Sequence, residues 1–173
     1  MIIRTLTFLL IGYLSTNVAS GAEEDLIQVP LDGKATVTLV KPKLLINVTV
    51  NQRIVRSWPA PAKEDIPTLA KRSCPEWIRQ CSLIEKIDIN INKTALPVPL
   101  SAFLDLFNVK SVKLTANGDI FCLILHGADA ADSYIATIIF NKERVISRRL
   151  MATELDEITE ETTYKKQKEF FDR

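Results

Sequence analysis

Isoleucines 87, 89 and 91 alternate with Asp88, Asn90 and Asn92, and Leu44, Ile46, Val48 and Val50 keep the same beat against Asn47, Thr49 and Asn51. Successive side chains of a strand point to opposite faces, so a two-residue period describes an extended segment with one buried face and one wet face. A helix would need apolar residues every three or four positions instead. This alternation commits much of the chain to antiparallel sheet, because antiparallel sheets can leave one face in water.

Other segments fit the same plan. Leu26–Leu31 and Ala35–Val40 read as short strands separated by Asp32-Gly33. Asn51-Gln52 is expected to turn the chain into 53–58, and Asn92-Lys93 to turn it into 94–99. Asn117-Gly118 is a strong hairpin signal. Strands 119–126 and 134–140 are apolar on both faces and are expected to be central. Asn141–Arg144 then turns into 145–151. Leu100, Phe103, Leu104 and Phe107 fall on one helical face behind Ser101 as N-cap, which predicts a short helix over 101–107. Residues 153–173, acidic and then lysine-rich, read as a frayed terminal helix or a mobile tail. The expected fold is mainly β with minor α content: an antiparallel sheet or sandwich-like meander with one short helix and a disulfide-closed loop.

That loop is the segment 57–81, interrupted by Pro59, Pro61, Pro67 and Pro75. Proline cannot continue a central strand, so the segment reads as a long excursion. Cys74 and Cys81 lie near its end, and in an oxidising compartment they suggest a local disulfide. An unbroken helix would hold them ~10.5 Å apart along its axis, beyond the about 4.4–6.8 Å a disulfide tolerates. A bond here therefore requires a bend or a loop. The rival pairing uses Cys122, which otherwise reads as a free thiol in an apolar strand.

The oxidising compartment is itself an inference. Arg4, the apolar run Thr5–Leu14 and the small residues Ser15–Ala22 stand in the order of a secretory signal, residues 1–22. The run is about half of the roughly 20 residues that a membrane span needs. The expected mature chain is one exported domain, 23–173, in the periplasm or outside the cell, with no membrane span. The whole sequence has 22 basic and 21 acidic residues. Loss of residues 1–22 removes only Arg4, leaving the two signs equal. A neutral domain has no global field to draw in nucleic acid.

Catalytic chemistry has one candidate location. The segment His126-Gly-Ala-Asp-Ala-Ala-Asp-Ser133 holds the only histidine with Asp129 and Asp132. A base beside acids in a strand-end loop suits a hydrolase, while the same glycine and aspartates also suit a plain turn. Five glycines and no Gly-x-Gly-x-x-Gly or phosphate-loop pattern argue against a nucleotide cofactor. Three cysteines and one histidine lack the spacing of a closed zinc site, so neither metal nor cofactor is expected. Asn47-Val-Thr49 and Asn92-Lys-Thr94 match the glycosylation pattern, which matters only on a eukaryotic secretory route. Arg53, Arg56, Arg148 and Arg149 read as solvated strand faces. Trp58, Trp77 and Arg79 flank the proline-rich excursion and are residue types that form interface hot spots. The expected function is a non-enzymatic exported module that binds a protein partner, for instance as an inhibitor or immunity-type protein. The alternatives are a small secreted hydrolase using the 126–133 loop, or a structural envelope protein.

Overall fold

The structure, a computed structural model, describes residues 26–56 and 80–165. They form two antiparallel sheets. One runs in the order β2 (Gly33–Lys41), β3 (Leu44–Arg56), β4 (Gln80–Ile91) and β5 (Thr94–Leu96). The other begins with β1 (Ile27–Gln28) beside β6 (Val109–Asn117). It continues through β7 (Ile120–Gly127), β8 (Tyr134–Phe140), β9 (Val145–Ala152) and β10 (Glu157–Thr163). The inward residues of both sheets share one core, with Ile46, Val48, Ile89, Phe121, Leu123 and Ile138 essentially inaccessible. The mainly β, antiparallel reading of the alternation is therefore correct, and of the sheet and sandwich alternatives the structure takes the two-sheet form.

Tight turns hold the registers. Pro42-Lys43 joins β2 to β3, with Lys43 at φ 63 as a type II turn requires of its second central residue. Asn92 and Lys93, at φ 49 and 70, form the type I′ connection of β4 to β5. The Asn92 side chain accepts from Leu45 N at 2.8 Å and so ties this turn to β3. Gly118-Asp119 closes β6 to β7 one residue later than the Asn-Gly pair implied, with Gly118 at φ 62. The Asn141 side chain accepts from the amides of Glu143 and Arg144 and forms the turn before β9. At the same end Lys142 donates to Asp119 and holds its carboxyl below the usual carboxylate range.

Three expectations are corrected. First, Asn51-Gln52 does not turn the chain; β3 runs straight through it to Arg56. The irregularity lies in β4, where Glu85 is extra: Asn51 pairs with Lys86 and Gln52 with Ile84. This bulge changes the phase of β4. Ile87, Ile89 and Ile91 face the core on one side of it, and Ile84 and Ser82 on the other. Glu85 stays outside, accepting from Asn51 and pairing with Arg53 at 2.7 Å.

Second, no α-helix forms over 101–107. Leu100–Ala102 is a single 3₁₀ turn whose N-cap is Pro99, without a side-chain cap bond from Ser101. So short a segment does not hold a helix on propensity alone and takes the conformation that its packing selects. Here Ala102, Phe103, Leu104 and Leu106 are all buried, and Phe107 bridges to Leu83 on β4. Third, Glu157–Thr163 of the expected tail is strand β10 on the edge of the larger sheet. The disulfide-closed loop is described only at its Cys81 end: Cys81 is disulfide-bonded, and Cys74, its expected partner, lies outside the described residues. Cys81 is buried beside Val55 and Leu83 and is engaged. Cys122 is free, which removes the rival pairing.

Buried polar groups lace the two sheets together. The Gln52 amide nitrogen, on β3, donates to Pro30 O at 2.7 Å and to Val109 O of β6 at 2.8 Å. Ser82 donates its hydroxyl to Leu31 O, and its amide donates to Asn108 Oδ1. Replacing Gln52 with leucine keeps the volume but leaves two carbonyls unpaired where water is excluded. Gln52→Leu is expected to lower stability by about 2 kcal/mol, read from the urea midpoint at unchanged slope.

Candidate functional site

The chemistry-bearing segments converge at one end of the sandwich. Asn108, at φ 48, is their junction. Its side chain accepts from Ser82 N of β4, its amide donates to Ser82 O, and its carbonyl accepts from Ala128 N in the loop after β7. Arg56 pairs with Gln80 two residues beyond Ser82, so the described chain stops at 56 and resumes at 80 on neighbouring strands close to this junction.

Phe107 and Tyr134 join these segments. Their ring centroids lie 5.9 Å apart, and the Tyr134 hydroxyl donates to Phe107 O at 2.7 Å. The ring lies against Gly127, where a Cβ would sit 2.1 Å from Tyr134 Cζ. Only glycine lets the end of β7 approach so closely. Burial pushes the Tyr134 hydroxyl well above its ordinary value of 10.0. Next to this pair, Arg148 is 2% exposed, which corrects its reading as a solvated strand residue. It faces inward opposite Ile138 and bridges Asp105 of the 100–108 segment at 2.5 Å and Glu160 of β10 at 2.6 Å. Arg53 and Arg149 are partly exposed, each paired with one glutamate, as a wet face allows.

The candidate acid–base residues do not assemble. His126 is half-buried on the face of β7 turned away from the core, opposite Ser111 and Ile135. Its imidazole makes no hydrogen bond or ion pair with another described residue. Asp129 is exposed and pairs with Lys110. Asp132 is exposed and ends a 3₁₀ turn, Ala130–Asp132. Neither carboxylate orients the imidazole, as activation of a nucleophile requires. Among the described residues no group of three His, Cys, Asp or Glu side chains is placed to hold a metal. Among them no helix is long and apolar enough to cross a membrane. Trp58, Trp77, Arg79 and Arg56's side chain lie outside what the structure describes.

The loop shows a different kind of specialisation. Ala128 and Ala130 hold φ at 53 and 47, the left-handed region that disfavours any residue with a Cβ. Such strain costs on the order of 1 kcal/mol per residue and persists only where surrounding contacts enforce it. Ala128 is enforced by burial and by its bond to Asn108. Sequence reading found the loop but missed this strain, Tyr134 and Asn108. Asn in a connection was the one available signal, since it tolerates positive φ. No protein-family model, curated protein or solved structure matches the chain.

Tyr134 carries a pH prediction. A group whose folded pKa is raised contributes stability that is intact below its unfolded value and is lost as pH rises past it. The folded protein should therefore lose stability above about pH 10. Tyr134→Phe should cost about 1 kcal/mol at neutral pH through the lost bond and should flatten that alkaline decline. Denaturant titrations of both proteins at neutral pH and above pH 10 check it.

Proposed function

We propose that this protein is a non-enzymatic exported binding module that engages another protein through the loop-bearing end of its sandwich. The export reading rests on the order of features in residues 1–22 and places the protein in the periplasm or the extracellular space. The observation that carries the binding reading is the strained 128–133 loop, held against the 100–108 segment at the end of the sandwich where β3 and β4 reach residues 56 and 80. Preformed loops on a rigid sheet lose little entropy on binding, and this lowers the cost of association. Trp58, Trp77 and Arg79 belong to that excursion by sequence and supply the residue types that dominate interface energies. An inhibitor or immunity-type role, blocking a hydrolase, fits a small neutral exported domain. The separation of His126 from Asp129 and Asp132 disfavours the hydrolase reading. A Cys74–Cys81 disulfide at the return of the excursion would narrow its conformations and belongs to the same proposal.

A photo-crosslinking residue at Ala131, compared with one at Asp119 at the opposite end, tests this in the native envelope and secreted fractions. The expected result is an adduct of one defined mass from Ala131 alone, retained in His126→Ala and weakened at least tenfold in Trp77→Ala. Equal adducts from both positions, or none from either, overturn the reading. Loss of the adduct in a folded His126→Ala would return the imidazole to the centre of the function.

A further inference from the structure

The four sheet edges are not alike. β1 has two residues and β5 three, too short to template another strand. β10 is interrupted by a bulge between Ile158 and Glu160 and carries Glu157, Glu160 and Glu161. Short length, bulges and like charges are the usual devices that keep an edge from pairing. β2 has none of them. It runs nine residues, Gly33–Lys41, in unbroken register with β3, without proline or bulge, and its lysines stand only near its ends.

The register shows which backbone groups are open among the described residues. Lys41 and Leu44 flank a two-residue turn, so they form a hydrogen-bonded pair, and bonded pairs alternate along an antiparallel ladder. Lys41, Leu39, Val37, Ala35 and Gly33 therefore bond to β3. Lys34, Thr36, Thr38 and Val40 aim their N–H and C=O groups away from the sheet. Their side chains are all exposed, and Val40, at 74%, is the most exposed large apolar residue among those described.

We propose that β2 is a homodimer interface, pairing antiparallel with β2 of a second copy about a two-fold axis at Val37. The choice of occupant comes from the strand's complementarity to itself. Bonded pairs across the dyad must come from the outward set, so the register can shift only by two residues, and a shift of one would turn the core face to solvent. Of the permitted registers, the one centred on Val37 overlaps all nine residues. It sets Thr36 opposite Thr38, Lys34 opposite Val40 and Lys41 opposite Gly33, so no two charges meet. The Thr36–Thr38 pairs are of a kind that stabilises neighbouring strands. On the inner face Ala35 meets Leu39, small against large, and extends the core face across the dyad. The result is one continuous eight-stranded sheet built from two four-stranded sheets. A single strand pair buries less than a standard interface, so the dimer should dissociate in the micromolar range rather than be obligate.

The test is the mass of the purified full-length secreted protein by light scattering across a concentration series, together with Thr38→Pro and Thr38→Ala. Proline at position 38 removes an N–H that faces away from β3, a place where an edge strand accepts it. The expected result is a doubled mass at about 100 µM, a concentration well above a micromolar dissociation constant. Thr38→Ala should keep the doubled mass, and Thr38→Pro should be monomeric with an unchanged β spectrum. If Thr38→Pro does not fold, hydrogen exchange of the unmodified protein decides instead. The Thr36, Thr38 and Val40 amides should then gain at least tenfold protection with rising concentration, while those of β10 do not change. A monomer throughout, a folded Thr38→Pro that still dimerises, or concentration-independent exchange at β2 overturns the proposal.

Discussion

The Gln52 side chain is the constraint on which the relation between the two sheets depends. It sits in the interior on β3 and gives both amide hydrogens to backbone carbonyls, one in the connection from β1 to β2 and one on β6 of the opposite sheet. Hydrophobic contact alone would let two sheets slide, because apolar burial has no direction. A buried amide bonded to specific carbonyls does not permit that sliding, since any shift leaves polar groups unpaired in a dry interior. Ser82 repeats the device one strand away, reaching Leu31 and Asn108. The bulge at Glu85 makes this possible by bringing Ser82 to the same side as Gln52 and Ile84.

The loop-bearing end grows from these ties. Asn108 passes the constraint from β4 to the loop after β7, and Phe107 passes it to Tyr134. Arg148 fastens the same 100–108 segment to the edge strand β10 through Asp105 and Glu160. A buried guanidinium contributes little net stability against a well-packed apolar residue, but an arrangement that leaves it unpaired is strongly disfavoured. Its effect is therefore to select one position for the segment. The opposite end closes with short turns that carry little besides the Asp119–Lys142 pair. A rigid scaffold with one elaborated end and one plain end is how β-sandwiches present binding loops. The edge of β2, unpaired among the described residues, runs along the side, so pairing there and binding at the loops are compatible.

Strand identities were legible residue by residue. Ile87, Ile89 and Ile91 announced both the strand and the face it buries, and all three are in the core. The Asn92-Lys93 turn was equally legible because a type I′ turn demands residues that tolerate positive φ. The short-range signals that failed were outweighed by longer-range ones. Asn51-Gln52 resembles a turn, yet Glu85 and Val109, distant in sequence, hold it in a strand. The apolar spacing of 100–107 resembles a helix face, but its side chains are buried on several sides. Arg148 resembles any arginine on a solvated strand face until Asp105, forty-three residues earlier, is set beside it.

The candidate site follows the same division. Local composition marked the 126–133 loop, because glycine and aspartate cluster where a chain must turn. It could not show that His126 and its neighbouring aspartates point to different places, since side-chain direction depends on strand register. By itself, the sequence determined the period of the strands, their buried faces and most of the turns, because these follow from contacts among neighbours in the chain. Only the tertiary structure decided how two sheets share one core, which strand is left as an open edge, and which segments meet at one end. Those outcomes depend on pairing between distant residues and on buried polar groups finding partners, neither of which any local pattern encodes.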